Sequence, residues 1–198
     1  MGAFSLKATR DGKVIHDGVY PNRWLVPGSD YLINTFFRGT PNEAPFHIGL
    51  IGDLGFTGLS DADTMASHSG WTEFSRYTNY PSGQATLRPE FLSWLENSSG
   101  YPGTGGPAGA INTRDTAGFT FGNGGSLASQ FIVNSTVKLR AIFLTSGSAI
   151  GGTAGTLFAT ALVDSVGNEL RVGDAVEIEY RHQLKTVLEE ITEFIPRT

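Results

Sequence analysis

The sequence contains no cysteine. Disulfides and thiolate metal sites are therefore excluded, and stability must come from packing, strand pairing or assembly. Charge is scarce as well. Asp, Glu, Lys and Arg make up 17% of the 198 residues, against about 25% in ordinary soluble domains. The net charge is −5 and no basic run occurs, so no nucleic-acid partner is expected. No apolar run approaches the ~20 residues that a membrane helix needs, so no membrane partner is expected. The opening residues, MGAFSLKATRDGK, lack the hydrophobic region of a signal peptide. Leu6 stands where an N-myristoylation motif needs Ser or Thr.

Catalytic constellations are also missing. The four histidines, His16, His47, His68 and His182, fall in no HExxH, HxH or HxxxH spacing. No GxSxG elbow presents a serine. The run Gly103–Gly109 lacks the GK[ST] ending of a phosphate loop. Asp61-Ala62-Asp63 opens like a calcium loop, but Ala66 replaces the required glycine and Thr72 the closing glutamate. A cap on a short helix explains Ser60 and Asp61 better. Asp53, Glu90 and Glu96 lie near aromatics, as glycosidase acids would, but 19 acidic residues make such proximity ordinary. The expectation is a chain with no catalytic residue, no metal and no cofactor.

Glycine and phenylalanine are plentiful. The 26 glycines nearly double the usual share of about 7%, which suits many tight turns. Thirteen phenylalanines can fill a core. Asp11-Gly12 between two short runs signals a β-hairpin. Phe46–Ile51 reads as a buried strand, and Trp71–Phe74 and Gln84–Leu87 are further strand candidates. Beyond the loop Tyr101–Ala110, strands are expected at Gly118–Phe121, Gln130–Val133, Val137–Leu144, Thr156–Val163 and Ala175–Leu184. Lys138, Arg140 and Ile142 alternate with Val137, Leu139 and Ala141, the period of a half-buried strand. Asp164–Asn168 looks like a hairpin loop. Short helices are expected at Asp30–Phe37, capped by Ser29 or Asp30, and at Asp61–His68.

These signals predict an all-β chain: an antiparallel β-sandwich, jelly-roll-like, with one or two short helices. Three regions are expected: a hairpin arm over 1–23, the sandwich over 24–184 and a C-terminal arm over 185–198, where Leu188, Ile191 and Ile195 lie at helical spacing and the segment suits a helix or an extended strand equally. The core is expected from Trp71, Phe46, Ile48, Leu50, Phe119, Leu139, Phe143, Leu157, Val176 and Ile178. Residues Val14, Ile15 and Val19 of the hairpin, with Val187, Leu188, Ile191, Phe194 and Ile195 of the last segment, are more apolar than free arms should be. They form the candidate interface, together with Tyr77 and Tyr80 at a sheet edge. The aromatics Trp71, Phe74, Tyr77, Tyr80, Trp94 and Tyr101 suit either a core or a sugar-binding platform, and core use is the ordinary one.

The segments GLIGDLGFTGLSDADTMASHSGWTEFSRYTNY, ATLRPEF, TAGFTFGNGG and VKLRAIFLTS, with Gly173–Tyr180 as a closing strand, form a recognisable series. The series resembles small virion proteins of tailed bacteriophages over roughly Trp24–Leu184. The resemblance implies a structural component of the particle and not an enzyme. It implies a capsid decoration or cement protein, with the major capsid protein and further copies of itself as partners. The virion, assembled in the bacterial cytoplasm, would be its location. The alternative is a tail-side or fibre module that binds a host surface glycan. A small lectin-like or hydrolytic domain unrelated to phage stands third.

Overall fold

The computed structural model describes residues 2–39, 46–80, 85–89, 109–112, 129–163 and 169–183. The first hairpin joins β1 (Gly2–Arg10) to β2 (Lys13–Pro21). Asp11 (φ 50°) and Gly12 (φ 74°) both lie in the left-handed region. That is the backbone of a type I′ turn, whose twist matches its flanking strands. The hairpin is not a separate arm. β1 pairs along its length with β11 (Ala175–Gln183), and Phe4, Leu6 and Ala8 are buried in the core.

Two antiparallel sheets face each other as a sandwich. One runs in the order β2-β1-β11-β7-β5, with β7 at Ser129–Val133 and β5 at Tyr77–Tyr80. β6 (Gly109–Asn112) pairs with β11 beside this path. The other sheet runs β10-β8-β9-β3, from Glu169–Leu170, Val137–Thr145, Leu157–Leu162 and Arg23–Trp24. β4 (His47–Gly52) pairs with β8. The jelly-roll winding expected from strand spacing is a finer statement than these orders carry. β9 and β10 both pair with β8 and not with each other, so the expected hairpin at 164–168 is not formed by these two strands. Residues 164–168 and 118–121 themselves lie outside the described residues.

Phe4, Leu6, Phe131, Val176, Ile178 and Tyr180 of the first sheet meet Phe46, Ile48, Leu50, Leu139, Ile142 and Leu144 of the second. The alternation expected for β8 does not hold along the whole strand. Ile51 pairs with Ala141 and Gly52 with Leu139, leaving Arg140 as an extra residue, a β-bulge. Beyond it Ile142 joins Val137 and Leu139 between the sheets, while Ala141 and Phe143 turn to the opposite face. There Leu25, Ile51, Met65, Trp71 and Leu157 cover them as a second, smaller core. Trp71, Phe143 and Leu157 were expected in the sandwich interior and belong to this outer core instead. Phe119 lies outside the described residues.

One α-helix occurs among the described residues. α1 spans Val26–Arg38, and not Asp30–Phe37. Pro27 in its first turn fixes a helical φ without wasting a donor. The start therefore sits a turn earlier than Ser29-Asp30 suggested, with Leu25 at the N-cap and Gly39 (φ 69°) closing the end. Tyr31 packs edge-on against Phe46 and Phe158. Asp61–His68 is not helical but a series of turns. Trp71–Phe74 contributes one bridge, Ile51 to Glu73, and Leu87 contributes one to Ala149.

Candidate functional site

The most buried charge belongs to a clamp between Arg88 and Glu73. Arg88 donates from Nε to Glu73 Oε1 at 2.7 Å and from Nη2 to Glu73 Oε2 at 2.8 Å. Its Nη1 donates to the Gly147 carbonyl at 2.6 Å. The Gly151 amide donates to Glu73 Oε2 at 2.6 Å. Both side chains are almost entirely shielded. The guanidinium also lies 5.3 Å from the Phe143 ring centre. Three segments, around residues 73, 88 and 147–152, are tied together over one end of the second sheet. Each of the three nitrogens of Arg88 donates to a protein acceptor.

His47 sits beside this clamp on β4. Its ring is buried and Nδ1 has no hydrogen-bond partner among the described residues. Burial pushes its pKa below the usual imidazole value of 6.5; a hydrogen bond that the ring donates to the Arg88 backbone opposes the shift, and the Arg88 charge adds to it. The folded protein therefore binds fewer protons at His47 than the unfolded chain. Stability contributed by the neutral ring is present above pH 6.5 and is lost as pH falls below it. Urea midpoints should fall between pH 7.5 and pH 5. That fall should shrink in His47→Gln; an equal fall in the variant would assign it to other groups. Asp174 acts only at lower pH. Burial raises its pKa, but the hydrogen bond from Arg10, the Arg171 amide and both cationic charges outweigh this and hold it below 3.8.

The loop over 53–76 closes the outer core. Asp63 Oδ2 accepts the Trp71 Nε1–H at 2.9 Å and the Ser60 amide at 2.9 Å. Asp61 pairs with Arg23 at 2.6 Å. The acids of the calcium-like run are thus satisfied by protein donors. Asp53 accepts the Lys138 amide. His68 stacks on Trp71 with centroids 3.7 Å apart. No group of three metal-ligating side chains occurs among the described residues.

The predicted site residues separate sharply. Tyr77 is a correction: it is 0% exposed and packs edge-on against Phe131, so it is core and cannot be an interface residue. The sequence suggests an edge tyrosine, but β5 turns it inward beside Phe74. Tyr80 ends β5, and its side chain lies outside the described residues, as do Val187, Leu188, Ile191, Phe194, Ile195, Trp94 and Tyr101. Trp71 and Phe74 are buried. Val14, Ile15 and Val19 are exposed on β2, Val19 at 68%. β2 is the outermost strand of its sheet and has no strand partner on its second edge among the described residues.

Two further surface features were not read from the sequence. Val26, Ile33 and Phe37 line the outer side of α1, Phe37 at 84% exposure. A cavity of about 70 Å³ opens between the sheets, lined by Leu6, Arg10, Ile15, His16, Leu139 and Leu170. It is far below the ~300 Å³ of an ordinary ligand pocket. No helix among the described residues is long and apolar enough to cross a membrane.

The fold thus defines an all-β antiparallel sandwich whose described buried charges hold loops together and whose β2 edge is open. The chain matches no family model, and no curated protein or solved structure matches it.

Proposed function

We propose that this chain is a non-enzymatic structural protein of a bacteriophage virion. In this reading it is a capsid decoration or cement component that bridges coat subunits, with β2 as its assembly edge. The supporting observation is β2 itself. It is nine residues long, outermost in its sheet, and carries Val14, Ile15 and Val19 toward solvent. A long edge strand with exposed apolar side chains is a template for pairing with another chain, and monomeric proteins normally blunt such an edge. The particle location rests on the resemblance of the sequence to phage virion proteins. The glycan alternative is left with Tyr80, Trp94 and Tyr101, because Trp71, Phe74 and Tyr77 are interior.

Cosedimentation with empty heads of the parent phage tests the reading. The protein should bind at a fixed ratio to the coat protein. Val14→Lys with Val19→Lys should weaken binding at least tenfold, because lysine on an edge opposes strand addition, while the circular dichroism spectrum stays unchanged. Failure to bind heads, or undiminished binding by the double variant, would reject it.

A further inference from the structure

We infer that the strand completing the β2 edge is the segment 187–195 of a second copy of this chain. The inference rests on the reading of β2 as the assembly edge. It starts from where the chain leaves the sheet. Gly2 pairs with His182 and Ala3 with Pro21, so β11 and β2 finish at the same end of the first sheet. Residues 184–198 continue from there. Val187–Ile195 is nine residues, the length of β2. It carries Val187, Leu188, Ile191, Phe194 and Ile195, apolar residues that would cover the exposed flank of β2.

Geometry favours a neighbour's segment over the chain's own. To reach the outer side of β2, the chain must pass β1 and β2 and gain a third strand position. At about 4.8 Å per strand that is about 14 Å. Gln183 to Val187 spans about 13 Å when fully extended, at about 3.3 Å per residue, so the chain's own segment falls short of the register that sets residue 187 opposite Pro21. The route is also obstructed. The connection from Pro21 into β3 at Arg23 leaves the sheet at this same end. A segment arriving from a second copy meets neither limit. It can run antiparallel to β2 on the Pro21 side of the bulge at Ile15, placing residue 189 opposite Val19 and residue 191 opposite Asp17. The exposed face of α1 is a weaker destination because it offers no row of backbone donors and acceptors. β2 offers such a row along an entire strand edge.

Because the chain has no cysteine, introduced cysteines report without background. Val19→Cys with Glu189→Cys in the full-length protein, treated with a short bis-maleimide, should give covalent dimers and higher species on a denaturing gel. Ile191→Asp in the full chain should weaken self-association at least tenfold by sedimentation velocity, with the spectrum of the fold retained. A purely intrachain cross-link would overturn the inference, and so would no cross-link, or an Ile191→Asp protein that associates as before. Should the β2 lysine variant lose head binding while no interchain cross-link forms, this inference falls and the edge reading stands.

Discussion

Truncating Arg88 to alanine should lower the stability of the folded protein by about 3–5 kcal/mol. The Glu73 carboxylate would remain buried without its cation, and the Gly147 carbonyl would lose its donor. For a chain of this size each kcal/mol shifts Tm by about 2–4 °C, so the loss is easily read by calorimetry. The pair is not expected to be worth that much in itself. Desolvating two charges offsets much of their attraction. Arg88→Met combined with Glu73→Leu should therefore recover more than half of the loss. Recovery will be incomplete because the Gly151 amide and the Gly147 carbonyl stay unpaired. A cost under 1 kcal/mol for Arg88→Ala would show that water reaches the clamp.

Phe143→Ala should cost about 3–5 kcal/mol. The ring is the centre of the outer core: Trp71 lies 5.4 Å away by centroid, Arg88 lies over its face, and it fills the space above Gly49. A Cβ at Gly49 would overlap that ring, so Gly49→Ala should also destabilise, by about 1–3 kcal/mol for overpacking. The two positions share one volume. Gly49→Ala with Phe143→Leu should then cost less than the sum of the two single changes, measured by urea titration. Strict additivity would mean that the ring has moved off Gly49 in solution.

The sequence was most legible where local rules decide the outcome. Asp11-Gly12 marked the first turn, period-2 alternation located β8 and β11, and the turn clusters between strands located β7 and β9, all to within one or two residues. It was least legible where distant contacts decide. The bulge at Arg140 reverses the phase of β8, and alternation alone cannot show an inserted residue. A sign was present: Ala141–Leu144 is apolar at every position, as a strand covered on both faces should be. Asp61–His68 looked helical, but Ser60, Asp63 and Thr64 bind nearby backbone amides instead, a local competition that such residues often win. Arg88 and Glu73 gave no signal at all. Nothing in a lone arginine before a proline reveals that its partner lies 15 residues upstream across a folded loop.

The bulge in β8 has a consequence for the order in which this protein can come apart. A sandwich with a long loop beside it would ordinarily shed the loop first, as a separate unit of low protection. Here the loop over 53–76 is the lid of a core whose floor is β8 and β4, strands that also wall the interior. Lifting it bares Ile51, Phe143 and Leu157 to water. In terms of cooperativity, the amides around the buried Asp63, Met65, Trp71 and Phe74 are expected to exchange with the central strands as one unfolding unit, which hydrogen–deuterium exchange would read.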